Sequence, residues 1–134
     1  MRKIRVAQIG IGHDHSARVL QSMRRQPELF QIAGYALTEK EERHIPAPDD
    51  IHEGYRMMEA FSGLKKLCVE EIMADSSIEA VVVETEEAEL FRYCLLAAQN
   101  KKHIHMDKPG GFDLAAYEKI LALVKENGTV FHTG

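Results

Sequence analysis

Short apolar runs and longer stretches of helical spacing alternate along the whole chain. Residues 3–9, with Ile4, Val6 and Ile9, predict a first strand that runs directly into Gly10. Val19, Leu20 and Met23 share one face at helical spacing and predict a helix from about His15 to Gln26, stopped by Pro27. Residues 31–37 predict a second strand. The charged segment from Glu39 to Glu53, with Pro46 and Pro48, predicts a short helical turn and then an exposed loop. A brief helix is expected over about Met57 to Phe61, a weak third strand around Leu64 to Cys68, and a helical stretch over Val69 to Ala74. Ile78 and Ala80-Val81-Val82-Val83 predict a fourth strand buried on both faces, as in a parallel sheet. Leu90, Cys94, Ala97 and Ala98 mark the next helix, and residues 103–106 a fifth strand. A last helix spans about Asp113 to Asn127, capped by Asp113, ended by Gly128 and burying Leu114, Tyr117, Leu121 and Val124. Residues 129–132 predict a sixth strand.

Strands alternating with helices over short, right-handed connections predict an α/β fold. It is a doubly wound, mostly parallel sheet of the Rossmann type, with a crevice at the C-terminal ends of the strands. A chain of 134 residues suits one such domain. At 45% hydrophobic and 28% charged residues it has the composition of a globular protein. Its net charge is −4 and it has no basic stripe, so nucleic acid is not an expected partner. Arg24-Arg25 and Lys101-Lys102 are expected to be solvated pairs. No apolar run is long enough to cross a bilayer, and no membrane association is expected. The two cysteines, Cys68 and Cys94, lack metal-type spacing. They are expected to be buried reduced thiols, which suits a cytoplasmic location.

Chemistry enters at two turns. Gly10 permits a tight turn out of the first strand, and Gly12 lets the backbone approach a pyrophosphate at the start of the following helix. His15 stands where the third glycine of G-x-G-x-x-G would be. Two glycines in this place also serve as a plain turn. After the fifth strand, Lys108-Pro109 puts an amine on the same rim. Pro109 holds Lys108 in an extended conformation, and the bond between them is expected to be cis.

Gly10-x-Gly12, the strand Ala80-Val81-Val82-Val83 leading to Thr85, and the run Lys102-His103-Ile104-His105-Met106-Asp107-Lys108-Pro109 together resemble the N-terminal half of the Gfo/Idh/MocA family. These are glucose–fructose oxidoreductases, inositol dehydrogenases and relatives. The resemblance covers essentially the whole chain, and Lys-Pro is its more specific element. It implies NAD or NADP held at four turns: Gly10, Ile11, Gly12, His13 and His15 after the first strand; Thr38 and Glu39 after the second; Thr85, Glu86 and Glu87 after the fourth; and Asp107, Lys108 and Pro109 after the fifth. It implies Lys108 as the catalytic residue, touching the reacting hydroxyl or carbonyl while hydride passes to or from the nicotinamide. The implied substrate is a secondary alcohol of a sugar, cyclitol or related polyol. Residues 1–134 are read as the NAD(P)-binding part of a longer two-domain enzyme, inactive alone and homo-oligomeric at full length.

Two departures matter. The family's Thr-Pro-Asn is Thr85-Glu86-Glu87 here, and these carboxylates would repel a pyrophosphate unless they face ribose or substrate hydroxyls. Asp107 replaces the usual glutamate. Arg43 is an alternative partner, for a 2′-phosphate, although the acidic loop favours NAD. His13-Asp14-His15 contains zinc- or iron-ligand types, with His103 or His105 as a further donor. Residues two apart at a helix start need not converge, so no metal is assigned. Polar lining of the crevice is expected, with Asp14 capping the helix. His44 and His52 are expected to be solvated, and His105 to be a core histidine. Two other functions stay open: a non-catalytic nucleotide-binding or sensing module, and a metal-dependent hydrolase using His13-Asp14-His15.

Overall fold

Strand β1 (Ile4–Ile9) leads through the glycine turn to helix α1 (Ser16–Arg24) and strand β2 (Phe30–Ala36). A short helix α2 (Glu39–Arg43), helix α3 (Glu53–Arg56) and a 3-10 helix (Met58–Phe61) precede the two-residue strand β3 (Lys66–Leu67). Helix α4 (Val69–Ala74) and strand β4 (Ala80–Val83) follow, then a 3-10 turn (Glu87–Glu89) running into helix α5 (Leu90–Gln99). Strand β5 (His103–Met106), helix α6 (Leu114–Asn127) and strand β6 (Phe131–Thr133) complete the order. This computed structural model describes residues 1–134 apart from Pro46, Gly110 and Phe112.

The strands form one sheet in the order β3-β2-β1-β4-β5-β6, and every pair is parallel. The chain leaves the β3 edge and re-enters beside β1 as β4. The strand order therefore reverses between β1 and β4, and a crevice opens at their C-terminal ends.

Alternation along the strands divides the core into two layers. Ala7, Ile9, Val81 and Val83 face α4, α5 and α6, whereas Val6 and Val82 face α1 and the segment from Tyr55 to Phe61. Both faces of β4 are covered, which explains its unbroken valine run. Each fully buried aliphatic side chain contributes about 1.5–3 kcal/mol. No helix among the described residues is long and apolar enough to cross a membrane.

Several expectations are corrected. Helix α6 buries Ile120 and Val124, while Leu114 and Leu121 are exposed. Leu121 lies about 100° round the helix from Ile120 and therefore faces outward. Asp113 and Gly128 do cap it: the Asp113 carboxylate accepts from Ala116 N, and Gly128 has φ of 66°. Cys94 is buried but Cys68 is exposed, because it follows the edge strand β3. Lys102 is buried rather than solvated. Its ammonium donates to the carbonyls of Asp75 and Ile78 at 2.7 and 2.8 Å, where α4 ends. Asp14 does not cap α1; its carboxylate accepts from Glu53 N at 3.0 Å.

Candidate active site

Thr85, at the end of β4, sets the shape of the glycine turn. Gly10 has φ of +90°, and a Cβ there would come within 2.7 Å of Thr85 N and 2.8 Å of its Cα. Glycine meets both the conformational and the steric demand. Helix α3 closes over the turn from the other side: a Cβ on Gly54 would fall 1.7 Å from Ile11 O. The β4 end also pins the loop through His13 N, which donates to Glu84 O at 2.9 Å.

The Ile11 and Gly12 N–H groups, which face a dinucleotide's pyrophosphate in folds of this kind, donate to Glu41 Oε1 at 2.9 and 2.8 Å. The other oxygen, Oε2, accepts from Thr38 N at 3.0 Å, and Thr38 Oγ1 accepts from Glu41 N, making a capping box for α2. Burial raises the Glu41 pKa, and the three backbone N–H groups pull against that rise. The donor pair thus fits an anionic oxygen, which the Glu41 carboxylate supplies. Tyr55 and Glu86 close the same space. Tyr55 donates to Glu86 Oε1 at 2.6 Å, Lys40 pairs with Glu86, and all three of Glu41, Glu86 and Tyr55 crowd Gly12. Burial would raise Glu86, but the bonds from Lys40 and Tyr55 outweigh it and hold its pKa low.

The β5 turn meets the β1 turn directly. His13 Nε2 donates to Lys108 O at 2.6 Å, and Lys108 N donates to Asp107 Oδ1 at 2.7 Å. His15 Nδ1 lies 3.0 and 3.1 Å from the two Asp107 oxygens. Glu84 is fully buried between two histidines, 3.7 Å from His13 Nδ1 and 3.8 Å from His105 Nε2. Burial, followed by the charge of Asp107, pushes the Glu84 carboxyl up to about 9. Burial acts on Asp107 in the same sense, but the bond to His15 and the neighbouring Glu84 and His13 bring it below the usual carboxylate value. The Lys108–Pro109 bond is cis, as expected. The Lys108 side chain is exposed and lines a cleft of about 450 Å³ with Phe91, Tyr117 and Leu114.

The fold therefore brings together Gly10, Ile11, Gly12, His13, His15, Thr85, Glu86, Asp107 and the Lys108-Pro109 turn. Thr38 is buried as the α2 cap. Glu39 faces Arg92 at 3.7 Å, Glu87 is exposed in the 3-10 turn, and Arg43 is exposed at the end of α2. His103 Nδ1 accepts from Val130 N, and His105 stacks on His132. Neither reaches His13. Sequence reasoning missed Glu41, Tyr55 and the burial of Glu84. For Glu41 a signal existed: Thr38-x-x-Glu41 has capping-box spacing. Tyr55 and Glu84 had none.

An open parallel sheet with a glycine turn and a lysine turn on one crevice defines a dinucleotide-binding Rossmann domain. The model of the oxidoreductase family, NAD-binding Rossmann fold, matches residues 4–134. The chain belongs to this family, Gfo/Idh/MocA, and forms its NAD-binding domain. No curated protein matches the sequence. Among solved structures, it is similar to an NAD-binding protein from Listeria innocua (TM-score 0.72, 20% identity, covering 98% of this chain and 35% of that one). It is also similar to UDP-N-acetylglucosamine 3-dehydrogenase from Acidithiobacillus ferrooxidans (TM-score 0.72, 20% identity, 100% and 37%). A third is a variant 3-ketoreductase from Actinomadura kijaniata in complex with TDP-benzene and NADP (TM-score 0.73, 20% identity, 99% and 38%). At such identities the likeness establishes the fold. The chain spans little more than a third of the length of each relative.

Proposed function

We propose that this chain is the NAD(P)-binding domain of an oxidoreductase that moves hydride to or from a secondary alcohol of a sugar, cyclitol or related polyol. The observation that carries the reading is the 2.6 Å bond from His13 to Lys108 O, which joins the glycine turn to the lysine turn at the point where strand order reverses. When bound, the nicotinamide supplies the hydride chemistry. Ile11 and Gly12 N–H would hold the pyrophosphate once Glu41 withdraws, with Thr85 and Glu86 flanking it. Lys108 would orient the substrate oxygen in its cleft, and a second domain would complete that pocket. The acids around the crevice favour NAD over NADP. Residues 1–134 would then act within a longer, homo-oligomeric protein. Both cysteines are free, which suits the cytoplasm.

One observation favours a second reading, a nucleotide-sensing module without chemistry: Glu41 already occupies the anion-binding N–H pair. Two measurements separate the readings. Calorimetric titration with NADH and NADPH tests binding, and failure of both on folded protein removes the two together. Lys108→Ala, in protein carrying a substrate domain, then tests catalysis. The oxidoreductase reading expects turnover to fall about 100-fold or more with cofactor binding retained. Unchanged turnover removes Lys108 from the reaction.

A further inference from the structure

We propose that His13, His15, Asp107 and Glu84 form a site for one divalent transition-metal ion, of the zinc or ferrous class, at the mouth of the crevice. One ring nitrogen from each of the two histidines and a carboxylate oxygen of Asp107 all lie within 4.8 Å of one another. His15 Nδ1 is 3.0 Å from Asp107 Oδ1, and His13 Nδ1 is 3.7 Å from both Asp107 Oδ2 and Glu84 Oε2. Donors of a tetrahedral ion with bonds of about 2.0–2.2 Å stand roughly 3.3 Å apart. Small side-chain adjustments would therefore close His13, His15 and Asp107 onto one ion, and Glu84, 3.7 Å from His13 Nδ1, would complete the set by a further shift toward it.

The surroundings of each donor suit ligation. His13 gives its Nε2 hydrogen to Lys108 O, which leaves the lone pair on Nδ1. A hydrogen bond of this kind orients a metal-ligating imidazole. That lone pair now receives the His15 N–H at 3.1 Å, a long bond that an ion would replace. The His15 side chain is 37% exposed and can change tautomer against solvent. Glu84 is the independent observation. It is 0% exposed, and neither of its oxygens accepts a hydrogen bond. Among the described residues no lysine or arginine pairs with Glu84 or Asp107; their ionic neighbours are histidines. A dication, taking the place of the proton that burial and Asp107 keep on Glu84, would offset the two adjacent buried carboxylates. Two imidazoles and two carboxylates suit zinc or iron(II) better than calcium, which takes six to eight oxygens. The contiguous His13-Asp14-His15 motif is therefore not the ligand set. Asp14 turns away to Glu53 N, and Asp107, from the other turn, takes its place.

The test is titration of the full chain with zinc by calorimetry and with cobalt(II) by visible absorbance, with no dinucleotide present. Its failure leaves the dinucleotide reading untouched. The expected result is one ion per chain, with cobalt bands of tetrahedral intensity. His15→Ala and Asp107→Asn should each weaken binding at least about tenfold. His103→Ala, at the opposite end of β5 from Asp107, should leave it unaltered. Glu84→Gln, nearly isosteric, should weaken binding and shift the cobalt bands, and unchanged bands would sink the four-donor site. Dissociation constants above about 1 mM, or equal binding by both histidine variants, would overturn the proposal.

Discussion

Replacing Glu41 by alanine should open the glycine turn to dinucleotide at the expense of stability. The side chain is 4% exposed and accepts three backbone N–H bonds, from Ile11, Gly12 and Thr38, at 2.9, 2.8 and 3.0 Å. A hydrogen bond to a charged group is worth about 1.5–3 kcal/mol net, part of which is offset here by relief from burying a carboxylate. We expect the variant to lose about 2–4 kcal/mol of stability. For a domain of this size the melting temperature should fall by roughly 10 °C. Binding should move the other way. A phosphate entering the wild type must first displace the carboxylate from two loop N–H groups. Removing that competition should contribute about 2–3 kcal/mol, or a roughly 30- to 150-fold lower Kd for NADH. Glu41→Gln retains an uncharged acceptor and should fall between the two. Calorimetry well below the melting temperature reads the affinity, with thermal unfolding recorded in parallel. A folded Glu41→Ala protein that binds NADH no more tightly than wild type would refute the argument that Glu41 occupies the cofactor's place.

Further outcomes follow from other contacts. Gly54→Ala places a methyl 1.7 Å from Ile11 O, a backbone atom that cannot easily move aside. It should cost about 3 kcal/mol or more in denaturant unfolding, and a loss under 1 kcal/mol would mean that α3 lifts freely off the turn. Lys102→Met strips the ammonium from the carbonyls of Asp75 and Ile78. Leaving those acceptors unpaired should cost about 2–4 kcal/mol, again read by denaturant unfolding, whereas Lys101→Met should be near neutral. In a maleimide assay on native protein, exposed Cys68 should be modified, and Cys94, whose thiol burial pushes up, should react only on unfolding. Rapid labelling of both would contradict the packing of α5.

The two turns illustrate how far sequence reading reaches. Gly10, Gly12 and Lys108-Pro109 were legible because each stands immediately after a strand, and strand ends follow from local apolar runs. The caps Asp113 and Gly128 were legible for the same reason: a cap works within one turn of its own helix. Glu41 and Glu39 could not be ranked from composition. Only a 29-residue contact, Gly12 N to Glu41 Oε1, distinguishes the acid that faces the loop from the one that faces Arg92. Likewise Asp14 looked like the natural companion of His13 and His15, yet its carboxylate faces α3.

By its own periodicity, then, the chain determined six strands, their helical partners, and the rim on which the two turns would lie. Hydrophobic spacing and turn chemistry act over a few residues and survive in one dimension. Tertiary structure decided the rest: which carboxylate holds the loop N–H groups, that Lys102 is buried on the α4 end, and that Glu84 and Asp107 stand together with His13 and His15. Those outcomes depend on parallel strand register and on helices packing across the sheet. They join residues up to 95 positions apart, as His13 and Lys108 are. No local preference carries that information.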